Sequence, residues 1–597
     1  MKAKWNGNVK SLMRTVVIVL MLIASILMPL GALEQTAYQE GFAIGSSQAS
    51  DIQQNVATMK STAQLRGTDF SRVFALAKEN ETLLATILPE KLEWMHGVAD
   101  GSRIPYDDIL IYNTADRLMT GFVGECTTFI AQGNVLASGE GSLIAKNRDL
   151  GPNVISEVSK EIGHEYGPNE IYKAAYIDIP QAPRTYSFVG SRSAGRWGYG
   201  MGINEFQVIV SDNDAPTRVE LAFTKGLHDN DYVRLVLERA RTAREGVEIL
   251  TKLTEKYGQA WNSIMFEIGD PQELWIVEIA NKQWVARRYT NCYTVRTNQF
   301  QITDDYELCS DDLITYAQAQ GWLSKDVSKT QKINFRAVYG TIELYPSDNE
   351  NFASRPAVET LYNTQVRYDR GMELLSKISG NISPKTIMPC TRDHYDTYTL
   401  PSGKVLQLDQ VPYYSTDYVY ERQEWVAEYP TKDTVEVSIY PRSICHHAFE
   451  GSTASTAILV ARPDVENELG LMLHAYCQPC DSLFVPFYVG VSSVDSRYST
   501  PEVGSKFLQI SKISFGCYKT YHEGIRKIFD PYEATLFEEM PEMEKQYMNL
   551  KVSGKSMDAQ MLLDTFSMQH WQEAIELTDN ALESMTKLTV ESSAWSR

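Results

Sequence analysis

Cys126 follows Gly124 and Glu125 and precedes Thr127 and Thr128, and about twenty residues later the chain reads Lys146, Asn147, Arg148, Asp149. A thiol attacks a carbonyl only as thiolate or with a base beside it, and an unassisted buried cysteine is inert. The turn-rich stretch "GNVLASGEG" separates two segments rich in apolar and β-branched residues. The second can therefore return antiparallel to the first and set Asp149 near the thiol and backbone nitrogen of Cys126. A single cysteine is by default a packing residue. Small and hydroxylated neighbours with a returning carboxylate argue instead for nucleophilic chemistry.

Several elements must hold such a pair in place. Residues 36–125 carry apolar positions at helical spacing, broken by Gly-Ser-Arg-Ile-Pro at 101–105, and read as a helical preface. From Cys126 the texture changes to short strands: "CTTFIAQ", "GSLIAKNRD", "IYKAAYIDIP", "RTYSFVGSR" and "GMGINEFQVIVSDN". Two helices are expected in "NDYVRLVLERARTAREGVEILTKLTEKYG", the second stopped by Gly258. Strands return in a hairpin around Gly269, Asp270 and Pro271, followed by a third strand. Strands, helices and strands again predict an α+β chain, a layered αββα sandwich. The charged end, from about Asp530, reads as a helical appendage.

Bulk properties narrow the partners. At 597 residues and 43% hydrophobic the chain can bury a large core, and a formal net charge of -20 repels nucleic acid and anionic lipid. Lys2, Lys4, Lys10 and Arg14 precede an apolar run over residues 15–33, the layout of a secretory signal or an uncleaved membrane anchor. The expected division is a signal or anchor at 1–33, a propeptide at 34–125, a catalytic domain at 126–529 and a helical region at 530–597. An extracytoplasmic or secreted location follows, with membrane contact only through the N-terminal run.

Other constellations are weaker. "ICHH" at 444–447 and "CQPC" at 477–480 together offer thiolates and imidazoles to zinc. Their spacing matches no common finger, adjacent histidines cannot easily face one ion, and a Cys477–Cys480 disulfide or free thiols competes. The expectation is no metal and no cofactor. A papain-like pairing of Cys126 with His394 or His474 lacks the "CGSCW" type of signature. Neither a phosphate-binding glycine loop nor an HExxH or G-x-S-x-G motif is present.

Taken in order, "ECTTFIAQ", "GSLIAKNRDLG", "GYGMGINEFQVIVSDN", "ELWIVEIANKQWVARRYTNCYTVRTNQF", "LITYAQAQGW", "RDHYDT" and "LFVPFYVGVSSV" resemble the dipeptidase and secernin family of N-terminal-nucleophile cysteine hydrolases. "EWMHGVADGSRIPYDDILIYN" resembles the propeptide of isopenicillin N acyltransferase-like proteins, which share the αββα fold. The resemblance implies that the chain is cut between Glu125 and Cys126, so that an internal cysteine becomes N-terminal. The Cys126 thiol would attack the Glu125 carbonyl and water would open the thioester. The freed α-amine, with an ordinary pKa of about 7.7–8, could then serve as base to its own thiol.

By the same resemblance Asp149 orients that amine, Lys146 takes the basic position, and Asn204 and Asn298 stabilise the oxyanion. Read alone, Lys146 and Arg148 fit a solvated strand edge equally well, and an asparagine at a strand end is an ordinary turn former. The implied activity is hydrolysis of small peptides, with a dipeptidase first, an N-acyl amide acylase or acyltransferase second, and a non-catalytic binding protein as the alternative outside enzymology. The expected partner is a small peptide or N-acyl amino acid, and a homo-oligomer is compatible.

Overall fold

β1 (Glu125–Gln132) and β2 (Ser142–Leu150) pair antiparallel, with Glu125 opposite Asp149, Cys126 opposite Arg148 and Thr128 opposite Lys146. The structure is a computed structural model. It describes residues 36–65, 70–87, 89–114, 125–340, 355–399, 405–412, 442–447 and 452–595, apart from 152, 175, 216, 218, 220–225, 261–262 and 516–517. The apolar run at 15–33 lies outside these residues. Among the described residues no helix is long and apolar enough to cross a membrane.

After β2 the chain forms β3 (Ser156–Glu161), a small hairpin of β4 (Ile171–Lys173) and β5 (Asp178–Pro180), then β6 (Phe188–Ser193), β7 (Met201–Asn204) and β8 (Ile209–Ala215). The helices Asp229–Arg239 and Ala243–Tyr257 come next, and Gly258 ends the second at φ +74° as its position predicts. β9 (Ser263–Gly269) and β10 (Leu274–Ala280) make the expected hairpin. The third strand is in fact two, β11 (Gln283–Tyr289) and β12 (Cys292–Arg296), because Asn291 takes φ +50° and turns the chain. β13 (Leu308–Cys309), the hairpin of β14 (Thr397–Thr399) and β15 (Val405–Gln407), then β16 (Ser452–Ala461), β17 (Leu471–Tyr476) and β18 (Val485–Tyr488) complete the strands.

Apart from the β4–β5 and β14–β15 hairpins, two antiparallel sheets result among the described residues. One runs β12, β1, β2, β16, β17, β18 and the other β13, β11, β10, β9, β8, β7, β6, β3. Side-chain alternation explains why both are covered on both faces. On β10, Ile276 joins a core with Ile144, Ile203 and Ile209, while Trp275, Val277 and Ile279 pack in a second core with the helices Asp229–Arg239 and Ala243–Tyr257. The helices Arg355–Ile378 and Pro384–Thr391 lie on β12, β1, β2 and β16. The layers are therefore helix, sheet, sheet, helix, as the sequence predicts.

This packing also holds the register. Full burial of each aliphatic side chain stabilises by about 1.5–3 kcal/mol, and a one-residue slip of β2 would exchange every side chain between its faces. Ile144 and Lys146 would leave the inter-sheet space together.

Among its described residues the preface has five helices, Ala37–Ser47, Ala49–Leu65, Phe70–Ile87, Pro89–Ser102 and Tyr106–Thr114, around a core of Trp94, Val98, Ile109 and Leu110. Gly41 and Gly97 let the first and fourth cross with their backbones in contact: a Cβ on Gly41 would lie 2.1 Å from the Trp94 carbonyl oxygen, and one on Gly97 2.2 Å from that of Tyr38. At the other end the helices Tyr518–Val552 and Ser556–Trp595 extend further back than residue 530. They share the main core, with Trp571 buried and its indole donating to the Pro486 carbonyl at 2.8 Å.

Candidate active site

Cys126 begins the inter-sheet face of β1, and Thr128 on the same face donates to Asn213 Oδ1 of β8 at 2.7 Å. Its backbone N–H donates to Asn298 Oδ1 at 2.9 Å, and Asn298 Nδ2 in turn donates to the Asp214 carbonyl at 2.9 Å. Asn298 lies just past the end of β12, where a side chain continues the pairing that the strand has left. The structure therefore brings Asn298 to Cys126 across 172 residues of sequence.

Lys146 is 1% exposed, and its ammonium donates to Asp212 Oδ1 at 2.5 Å and to the Gly200 carbonyl at 3.3 Å. Burial is the largest effect and lowers its pKa, but the Asp212 carboxylate and Cys126 together hold it above the usual lysine value. Arg148 is buried as well, donating to Ser193 Oγ at 3.1 Å and Asn230 Oδ1 at 3.4 Å. The solvated-edge reading of Lys146 and Arg148 is thereby corrected: a second sheet covers that face.

Asp149 is 1% exposed and accepts from Thr453 Oγ1 at 2.7 Å. Its backbone pairs with Glu125, one position beyond the residue paired with Cys126, and its charge helps to hold the Cys126 thiol up. Asn147, between Lys146 and Arg148, faces the helical layer, donating to the Thr391 and Ile444 carbonyls at 2.8 and 2.7 Å. Alternation along four residues thus sends the cation into the inter-sheet space and the carboxylate to its other side.

Burial pushes the Cys126 thiol up to about 12; the Lys146 ammonium opposes this, while Asp149, Asp212 and Asp214 add to it. In the uncut chain Cys126 is consequently a neutral thiol at ordinary pH.

Asn204 is not part of this cluster. It faces the outer helices from β7: Nδ2 donates to the Leu237 and Ala240 carbonyls at 2.9 and 2.7 Å, and Oδ1 accepts from the Phe206 and Val208 amides at 3.0 and 2.9 Å. Its hydrogen-bonding capacity is spent tying the β7–β8 turn to the helix Asp229–Arg239, the turn-forming role its position alone suggested.

Arg367, in the helix Arg355–Ile378, escaped the sequence reading. It is fully buried, donating through Nη1 to the Cys126 carbonyl at 2.7 Å and Thr127 Oγ1 at 2.8 Å, and through Nη2 to Asn298 Oδ1 at 2.9 Å. Gly371, one turn later, sets the depth: a Cβ there would lie 2.8 Å from Val295 Cγ2 and 3.3 Å from Phe129 Cε1. The only sequence signal was an arginine on the face of an amphipathic helix that also carries a glycine. Arg367→Met should cost roughly 2–4 kcal/mol by stranding these acceptors, and Arg367→Lys should recover only part, because one ammonium cannot span them. Denaturant unfolding of the two variants measures this; equal stability to the parent would remove Arg367 from its bracing role.

Neither histidine of the papain-like reading bonds to Cys126. His474 on β17 shares a 2.9 Å hydrogen bond with Ser191 Oγ, and burial drives its pKa down to about 3. The unfolded value is about 6.5, so neutral His474 contributes stability that is complete above pH 6.5 and is lost as pH falls toward 3. Between pH 7.5 and 5 the loss is about 2 kcal/mol. His474→Gln should therefore be less acid-sensitive than the parent by about that amount in unfolding at the two pH values.

The profile of Peptidase family C69 matches residues 125–510. Two proteins described as probable dipeptidase A, from Streptococcus pyogenes serotype M3 (strain SSI-1) and serotype M18 (strain MGAS8232), are each 30% identical over 211 residues. Each match covers 32% of this chain, and it spans 44% and 43% of the two relatives, less than half their length. Among solved structures, penicillin V acylase from Agrobacterium tumefaciens is similar at 12% identity and a TM-score of 0.29, covering 61% of this chain and 86% of that one. A mutant conjugated bile acid hydrolase from Clostridium perfringens is similar at 10% identity and a TM-score of 0.30, covering 63% and 98%. The family match covers well over half the sequence and contains Cys126, Lys146, Asp149 and Asn298: this chain belongs to peptidase family C69.

Proposed function

We propose that the protein is an exported, self-processing cysteine hydrolase of amide bonds, a dipeptidase, in which Cys126 becomes the N-terminal nucleophile. The observation that carries this reading is the grouping of Asn298, Lys146 and Asp149 about Cys126 near the start of β1, where scission of the Glu125–Cys126 bond would free an α-amine. In this mechanism the amine takes the thiol proton, the thiolate attacks the substrate carbonyl, and the same proton passes to the leaving amine. Water then opens the thioester and regenerates the thiol. Asp149 holds the amine, Lys146 favours the thiolate, and Asn298 stabilises the oxyanion.

A cavity next to Arg148 supports the choice of a free peptide. It is lined by Arg196, Trp197, His228, Asn230 and Asp231, with Asn113 of the preface helix Tyr106–Thr114 on one side. A carboxylate such as Asp231 is what a substrate's α-ammonium needs, and loss of the preface would open the cavity. The deciding experiment incubates the purified protein with a dipeptide panel and an N-acyl amino acid panel while sequencing the N-terminus of the large fragment. Dipeptide turnover by a chain beginning at Cys126 is expected. Turnover of N-acyl substrates alone would make it an acylase, and turnover of neither would leave a binding protein.

A further inference from the structure

Behind β2, on the side away from the thiol, His394, Cys445, His447 and Cys480 come together from three parts of the chain. All four are buried, and their ligand atoms lie within 4.8 Å of one another. His447 Nε2 is 3.1 Å from Cys480 Sγ and 3.6 Å from Cys445 Sγ. We propose that these four side chains form a closed, structural tetrahedral site for a zinc ion that braces the active-site strand.

The dimensions suit the ion. Zinc–sulfur bonds of about 2.3 Å and zinc–nitrogen bonds of about 2.0–2.1 Å at tetrahedral angles give sulfur–nitrogen edges of about 3.6 Å. One observed edge has that length and the other needs to open by about half an ångström. The imidazole of His394 is already oriented: its Nδ1 is 3.0 Å from the Gln410 carbonyl, and the Gln410 side chain is fixed by Asp393 and Asp396 at 2.9 and 3.1 Å. Nε2, which has no hydrogen-bond partner among the described residues, is thereby left for the metal.

Binding is balanced in charge. Cys445 and Cys480 each release a thiol proton, and two thiolates with two neutral imidazoles neutralise the dication in a buried place. Four protein ligands leave no open position, which separates a structural site from a catalytic one. Tyr518 and the hairpin residues Tyr395, Tyr398 and Leu406 supply an apolar shell.

The sequence reading gave this little weight for two reasons that the structure resolves. The adjacent histidines do not both face the ion, since the missing imidazole comes from His394. Cys477 and Cys480 are free rather than bonded, and Cys480 alone joins the cluster.

The link to β2 is short. The Ile444 carbonyl, next to ligand Cys445, and the Thr391 carbonyl, three residues before His394, both accept from Asn147. His446 donates its N–H to Thr453 Oγ1 at 2.9 Å, and that hydroxyl donates to Asp149. A metal that pins Cys445, His447 and His394 therefore pins Asn147 and Asp149.

The test measures zinc in the purified full-length protein by elemental analysis after dialysis, with cobalt(II) incorporation during expression as a second readout. About one zinc per chain is expected, and a cobalt protein with tetrahedral d–d and thiolate charge-transfer bands. Cys445→Ser and Cys480→Ser should lose the metal while Cys477→Ser keeps it. Should the first two variants fail to fold, thiol modification of the parent in the presence of a chromophoric chelator provides the same answer by stoichiometric zinc release. A parent that takes up no metal in zinc-replete medium, a Cys445–Cys480 disulfide in peptide maps, or metal retained in both ligand variants would overturn the site.

Discussion

Cys126→Ala is expected to give a folded chain that stays uncut at Glu125–Cys126 and hydrolyses no dipeptide above background, a loss on the order of 10⁵-fold or more. The thiol is the atom expected to attack twice, first the Glu125 carbonyl and then the substrate, so its removal stops both reactions together. Cys126→Ser retains a weaker nucleophile. It should process slowly and show much reduced turnover, because a serine hydroxyl is harder to deprotonate than a thiol that burial already holds at about 12. A buried packing cysteine predicts the opposite pattern: either small replacement would cost modest stability and leave activity in place. Fragment pattern on a gel, melting temperature and dipeptide turnover, all taken on the same two proteins, separate the cases. An uncut Cys126→Ala chain with parental peptidase activity would sink the assignment.

The parts of this arrangement that lie within one antiparallel pair were legible in the sequence. Cys126 and Asp149 are joined by a turn and two apolar strands, so local pattern was enough to place them near each other. Runs rich in β-branched and aromatic residues between Gly and Pro breaks likewise announced β1, β2, β7 and β8, and the two helices from 229 to 257 were clear because Val233, Val236 and Leu237 line a face of the first and Val247 and Leu250 a face of the second. β3 was silent. Its sequence, Ser-Glu-Val-Ser-Lys-Glu, has one apolar residue, and beyond its backbone ladder with β6 it is tied by the ion pair of Arg192 with Glu157 at 2.5 Å.

What the sequence could not reveal was burial created by distant segments. Lys146 and Arg148 look like an exposed strand edge until β8 and the residues around Gly200 cover them. Asn204 and Asn298 are equivalent as isolated strand-end asparagines. Only the three-dimensional path distinguishes them, sending one to the outer helices and the other to Cys126. Arg367 and the four residues around His447 belong to the same class, assembled from segments separated by tens to hundreds of residues. No periodicity reports on such encounters.

Asp149→Asn is expected to fold and to lose at least about 100-fold in kcat, since it removes the charge-assisted hold on the α-amine while leaving the side chain's shape. Folding should survive because an asparagine oxygen can still accept from Thr453 Oγ1, the bond of 2.7 Å that fixes this side chain. The pH profile distinguishes a role at the amine from a merely structural one. The amine must be unprotonated to take the thiol proton, so the acid limb of kcat/KM reports its pKa. A neighbouring carboxylate favours the ammonium and raises that pKa, and removing the charge lowers it. The variant's acid limb should therefore move to lower pH even as its plateau falls. A structural aspartate would lower the plateau through misfolding and leave the limb where it was. Thr453→Val serves as the companion: it keeps the carboxylate but frees its orientation, and should reduce turnover with less displacement of the limb than Asp149→Asn. Parental turnover in Asp149→Asn, or a reduced plateau with an unmoved limb, would take Asp149 away from the amine and leave Asn298 as the group holding the Cys126 nitrogen.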